Sequence, residues 1–245
     1  MADVNGEIPE EEFIEILSTP YKEHEQQVSD NNNQNIVNDD DIKVYPVGGY
    51  GKDIRVINDF EIKQRFKLTE TALYTNLRVS WKIEKVGDQS NTPGLTQKEA
   101  KIYLGLEDRI STHNHPKQNN ADGGSFSPDD ITSFILQEDL ELRVVDYYYA
   151  YVMQRPVVGW DVWKNQYPET IEYKLVNGTP DFTGNPLYQF FDQVFIANRN
   201  KLKLAAEKGI GKNDPRSWFE DSLHVANLLV SRKYRIPYAR YVDNR

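Results

Sequence analysis

The chain has 245 residues, 38% of them hydrophobic and 12% aromatic, no cysteine and a formal charge of −9. That is enough chain for one sizeable core; the missing thiols exclude disulfides, cysteine nucleophiles and thiolate zinc sites, leaving histidines and carboxylates as the side chains able to hold a metal. No apolar stretch approaches the roughly 20 residues of a membrane-spanning helix, and Met1 to Glu12 is acidic where an export signal is basic and then apolar, so neither membrane insertion nor export is expected.

The charge is unevenly spread. From Met1 to Val44 twelve acids stand against Lys22 and Lys43, a net −10, which leaves the remainder near +1. Binding duplex nucleic acid requires a basic surface that releases counterions from phosphates, so no sequence-specific nucleic-acid partner is expected. Docking on another protein suits this distribution better.

Residues 1–44 read as a flexible acidic arm, since the Asn31–Asn35 tract and Asp39-Asp40-Asp41 cannot build a core. Within it, Pro9 to Leu17 has acids in the first turn of a potential helix and Phe13, Ile14 and Leu17 on one face. The segment is either a peptide that folds in a partner's groove or a solvated tail with a few apolar residues.

The body, residues 45–245, begins near Tyr45. Gly48-Gly-Tyr-Gly51 lacks the Lys-Ser/Thr of a phosphate loop. Leu73 to Ile83 alternates apolar and polar residues with period two and predicts one half-buried strand ended by Gly87-Asp88. Thr96-Gln-Lys-Glu99 is a capping-box pattern opening a helix to about Leu106. Arg109 to Thr112 predicts a strand, and Ser127-Pro-Asp-Asp130 opens a helix to about Gln137, with serine at the cap and proline at the first position. Leu142 to Asp146 and Tyr147 to Gln154 read as strands. The second half is helical: Leu187 to about Lys208, closed by Gly209, and Trp218 to about Lys233, preceded by Asp214-Pro215. Tyr238 to Val242 predicts a final edge strand. No repeat is present, and the elements add up to an α+β fold with a mixed or antiparallel sheet and flanking helices.

The chemistry concentrates in one region. His113-Asn114-His115-Pro116 sets two imidazoles two residues apart, so an extended strand end points both to the same side. Asp130 opens the next helix and can bring a carboxylate to the same ion, leaving a fourth position for water, as in catalytic zinc sites. The plainer alternatives are histidines bonded to loop backbone and an ordinary capping box between Ser127 and Asp130; a cap that aims Asp130 at the metal satisfies both readings. His224 sits in an apolar-periodic helix and reads as a core or interface histidine. Tyr147-Tyr-Tyr149, Trp160 and Trp163 read as strand-face and core packing rather than as a stacking platform.

His113-Asn-His-Pro followed by Ser127-Pro-Asp-Asp130 resembles the motif of the JAB/MPN metalloproteases, known as JAMM. The resemblance implies His113, His115 and Asp130 as zinc ligands, Ser127 as the residue steadying the oxyanion, and an upstream glutamate as general base, with Glu70 and Glu84 the candidates and Glu61 a weaker one. The spacer between His115 and Ser127 is longer than the family's usual one. A longer likeness runs from about Val56 to Arg245. Ile110-Ser-Thr-His-Asn-His-Pro, Gly124-Ser-Phe-Ser-Pro-Asp-Asp-Ile131, Glu141-Leu-Arg-Val-Val145, Tyr149-Ala-Tyr-Val-Met153 and the closing Tyr238-Ala-Arg240 resemble the C-terminal domain of minor head (head-morphogenesis) proteins of tailed bacteriophages. It implies a JAMM-like segment over about 56–155 and a helical part over about 160–245. It also implies a virion-associated structural or assembly protein, located in the virion and in the host cytoplasm during assembly. The partners so implied are capsid, portal or tail components, reached through the N-terminal arm, and further copies of the chain. The usual minor head protein carries a long helical portal-associated region before the domain, where this chain has the acidic arm. The alternative function is a zinc-dependent hydrolase of a peptide or isopeptide bond.

Overall fold

The computed structural model describes residues 55–65, 67–88, 94–116, 124–146, 149–177, 179–209 and 215–242. The acidic arm, the Pro9–Leu17 segment, the start of the body near Tyr45 and Gly48–Gly51 lie outside them.

The first described element is a helix, α1 (Arg55–Gln64), for which no expectation was formed. Its buried Ile57, Phe60, Glu61 and Gln64 fall at i, i+3, i+4 and i+7, one face of a helix, so the signal was present in the sequence. The single strand expected from Leu73 to Ile83 is instead a hairpin of β1 (Thr71–Asn76) and β2 (Lys82–Val86). The Asn76 side-chain oxygen accepts hydrogen bonds from the Ser80 N–H at 2.9 Å and the Ser80 hydroxyl at 3.1 Å. Val79 takes a left-handed conformation, φ 49°. A local side-chain turn thus displaces the ladder, while the alternation continues on both sides of it and hides the break.

The capping box at Thr96 and Glu99 forms and opens α2 (Gln97–Leu104). Then come β3 (Arg109–Asn114), α3 (Pro128–Gln137), β4 (Glu141–Val145) and β5 (Tyr149–Gln154), close to the expected bounds. A short helix, α4 (Trp160–Gln166), and a minor hairpin, β6 (Lys174–Val176) and β7 (Thr179–Asp181), precede the two long helices. These are α5 (Pro186–Glu207), capped by the Asn185 side chain, and α6 (Pro215–Tyr234). The chain returns as β8 (Tyr238–Val242), the edge strand expected. Among the described residues, no helix is long and apolar enough to cross a membrane.

The main sheet runs β2-β1-β3-β4-β5-β8. Every pairing is antiparallel except β3 with β4, and α3 is the crossover that a parallel pair requires. The outer strand β2 carries Lys82, Glu84 and Lys85, charges that discourage pairing with another chain's edge. Registers sort the side chains onto two faces. Leu142, Val144, Tyr151, Met153 and Tyr238 join Phe134, Trp160, Trp163, Phe191 and Val230 in the main core, beneath the helices that follow β3. Leu73 and Ile110 on the reverse face meet Ile57 and Phe60 of α1. Trp163 is fully buried, and the Trp160 indole N–H donates to the Asp139 carbonyl at 2.9 Å, so both tryptophans pack as expected. Tyr149 is buried too; Tyr147 and Tyr148 lie outside the described residues.

Candidate metal centre

The carboxyl end of β3 and the amino end of α3 meet beside the parallel pair, where a crossover leaves room for a ligand. His113 is the last β3 residue laddered to β1, opposite Ala72, and it pairs with Val144 on the other side. His115 continues along β4, its N–H donating to the Val145 carbonyl at 2.9 Å. The two Nε2 atoms lie 3.1 Å apart. Asp130 completes the triangle, with Oδ1 3.3 Å from His113 Nε2 and Oδ2 3.7 Å from His115 Nε2.

These separations have the size that a metal site requires. Zinc bonds of about 2.0–2.1 Å set the ligand atoms of a tetrahedron about 3.3–3.4 Å apart. The separations found, taken to one Asp130 oxygen for His113 and to the other for His115, lie around that value, and His113, His115 and Asp130 form a group able to hold a metal ion. The site is partly sheltered: the side chains of His113, His115 and Asp130 are 11%, 20% and 21% exposed.

Two of the three side chains, those of Asp130 and His115, are aimed from behind. The Ser127 N–H and hydroxyl both donate to Asp130 Oδ2 at 2.8 Å, and the Asp130 N–H returns a bond to Ser127 Oγ at 3.2 Å. The capping box and the carboxylate that faces the two histidines are therefore one structure, so the cap and metal readings of Ser127 and Asp130 are compatible. The long spacer after His115 does not separate the parts. His115 Nδ1 lies 2.9 Å from the Gly124 carbonyl. A carbonyl only accepts, so Nδ1 holds the proton and Nε2 turns its lone pair inward, the tautomer a metal needs. Gly124 is anchored in turn by its N–H to Asp146 Oδ2 at 2.9 Å, an oxygen that also accepts from the Tyr151 hydroxyl at 3.0 Å.

The charges respond to this crowding. Burial presses His113 toward its neutral form, but the Asp130 carboxylate beside it outweighs burial and raises its pKa. Burial and the neighbouring His113 lower that of His115. Burial alone would raise Asp130, yet the two imidazoles and Ser127 hold its carboxyl well below the usual range. A metal must displace the proton that His113 shares with Asp130, so occupancy should rise with pH.

A cleft of about 130 Å³ opens at the cluster, lined by Glu70, Tyr74, Ser111, His113, Asp130, Ser133 and Gln137 among others. Burial, then the charges of Asp139, Asp130 and Glu70, push the Tyr74 hydroxyl up to about 12, so it stays protonated. Of the three glutamates weighed as a general base, Glu70 alone lines this cleft. Glu84 pairs with Leu73, on the face turned toward α1, and lines a different cleft there with Lys63, Lys67 and Lys82. Glu61 belongs to α1 and pairs with Arg143 at 3.2 Å on the same reverse face. Ser127 spends its hydroxyl on Asp130 and is not among the residues lining the cleft. His224 is outside the cluster: its Nδ1 lies 2.8 Å from the Tyr238 hydroxyl, which meets Ser125 Oγ at 2.9 Å and so braces the residue after Gly124. Sequence reasoning overlooked the supporting roles of Asn114, Gly124 and Asp146, although a glycine opening the motif run was a sign that a special backbone conformation is needed there.

No protein-family model, curated protein or solved structure matches the chain.

Proposed function

We propose that the protein is a zinc-dependent hydrolase acting on a peptide or isopeptide bond. The observation that carries this reading is the convergence of His113, His115 and Asp130 at separations of the size found between zinc ligands, with a carboxylate, Glu70, lining the cleft beside them. Three protein ligands leave a fourth position open, the arrangement of catalytic rather than structural zinc. Zinc there would polarise a substrate carbonyl and bring the pKa of a coordinated water toward ~7. The chain's own residues do the rest. His115 is fixed in its tautomer by Gly124, Asp130 is oriented by Ser127, and Glu70 accepts the proton of the attacking water and returns it to the leaving amine. The protonated Tyr74 hydroxyl, in the same cleft, is a donor for substrate oxygen.

The resemblance of the motif runs to minor head proteins supports a second reading, a structural component of a tailed-phage particle. The two separate on one substitution. Purified without chelator, the wild-type chain is expected to hold about one zinc per molecule by elemental mass spectrometry, and His115→Ala is expected to lose it together with all peptidase activity. Zinc absent from both proteins, with particle association retained in both, would overturn the hydrolase and leave the structural component.

A further inference from the structure

Asn114 stands between the two histidine ligands, yet its side chain points to the opposite face of the sheet and is completely buried. The ladder between β1 and β3 stops at Ala72 and His113, and His115 has already turned to pair with β4. Continuing the register would place residue 70 opposite residue 115, at the point where backbone pairing with β1 has ended. The Asn114 amide fills that gap. Its Oδ1 accepts from the Thr71 N–H at 2.7 Å, and its Nδ2 donates to the Thr69 carbonyl at 3.1 Å. The two contacts grip the backbone on either side of Glu70. On the other flank, Glu70 is held by its own backbone, its N–H to the Asp88 carbonyl at 2.7 Å and its carbonyl to the Gly87 N–H at 2.9 Å.

We propose that Asn114 is a positioning residue: its amide substitutes for the missing peptide of β3 and holds Glu70 over the cleft at the metal ligands. The physical case is one of geometry. A serine or alanine cannot span from β3 to the two backbone groups on either side of Glu70, whereas an amide offers one acceptor and one donor on a planar fork. Without it, the Thr71 N–H and Thr69 carbonyl must find other partners, and the segment bearing Glu70 is free to shift by the small distances that catalytic placement does not tolerate. The metal ligands themselves are held by other groups, Gly124 and Ser127, so Asn114 acts on the glutamate and not on the ion.

The proposal rests on the zinc reading, and its test separates the two. Zinc stoichiometry and the affinity of acetohydroxamate, which chelates zinc and donates to a neighbouring base, are measured for wild type, Asn114→Ala, Glu70→Gln and the double variant. Asn114→Ala is expected to keep its zinc and to lose roughly tenfold or more in acetohydroxamate affinity, within the range typical of outer-layer residues. In the Glu70→Gln background the same change is expected to cost almost nothing, because the group it positions is already gone. Equal losses in both backgrounds, or loss of zinc from Asn114→Ala, would overturn the positioning role while leaving the metal site standing. A wild-type chain that takes up no zinc overturns both. If Asn114→Ala does not fold, Asn114→Asp, which keeps the acceptor for Thr71 and loses the donor to Thr69, is read in the same cycle.

Discussion

The two faces of the sheet each bury a cluster of charged side chains, and they resolve it in opposite ways. On the reverse face Arg143 lies between Glu61, at 3.2 Å, and Glu141, at 2.7 Å, and Gln154 Nε2 donates to the remaining Glu141 oxygen at 2.8 Å. Arg143 bonds both carboxylates, and Arg143 and both glutamates are 1% exposed or less. On the site face His113, His115 and Asp130 converge beside an open cleft, and among the described residues no arginine or lysine lines that cleft. The lesson is that burial of charge does not by itself mark a site. A cluster that supplies its own cation is structural, whereas two imidazoles and a carboxylate converging at a cleft form a group able to hold a cation from outside.

The largest expected effect tests the structural half of that contrast. Arg143→Met leaves two buried carboxylates without their cation and should cost about 3–5 kcal/mol in denaturant unfolding, with zinc content unchanged. A loss below about 1 kcal/mol would mean that water reaches the pair, and the contrast between the faces would weaken.

A second test concerns Asp139, buried behind the cleft and held by the Tyr103 hydroxyl at 2.7 Å, the Ser111 hydroxyl at 3.1 Å and Arg109 Nε at 3.1 Å. Burial outweighs these partners and raises its pKa to about 6. The folded state therefore binds this proton more tightly than the unfolded chain, whose aspartate titrates near ~4. Stability from this group is fully present below about pH 4 and is lost as pH rises through about 6, by up to about 3 kcal/mol. Unfolding curves of the wild type at pH 4.5 and pH 7 should differ in that direction, and Asp139→Asn should shrink the difference, leaving the share that His113 contributes. An unchanged pH dependence in that variant would show that Arg109 neutralises the carboxylate fully.

The smallest effect joins the metal centre to its support. Gly124 has φ +105°, and a methyl group there would lie 2.9 Å from Leu223 Cδ1 of α6. Gly124→Ala should cost about 1–3 kcal/mol through backbone strain and weaken zinc binding roughly tenfold to a hundredfold, because the carbonyl that orients His115 moves with it. Zinc affinity equal to wild type, measured by competition with a chelator, would remove Gly124 from the centre's support.

Much of the fold was legible in local chemistry. Ser127, Pro128 and Asp130 specified the start of α3, Thr96 and Glu99 that of α2, and Gly209 the end of α5, because caps act within one turn and do not depend on what packs against them. The spacing of His113 and His115 on a strand end, followed by Asp130 at a helix start, pointed to three side chains able to hold a metal, since strand parity and helix capping both aim side chains by local rules. Other features were beyond its reach. The period-two pattern from Leu73 to Ile83 could not show that Asn76 folds the chain back, since both arms of a hairpin carry the same period. Nor could composition choose among Glu61, Glu70 and Glu84. That choice fell to the pairing of Leu73 with Glu84 and Ala72 with His113, which turns Glu84 away and leaves Glu70 at the cleft, and to the docking of α1, which commits Glu61 to Arg143. Sequence alone determined which residues have the chemistry and which way each local element begins. The register between strands distant in the chain decided which of them meet, because pairing is set by the burial of a whole face, and a shift of one residue would exchange the two faces of the sheet.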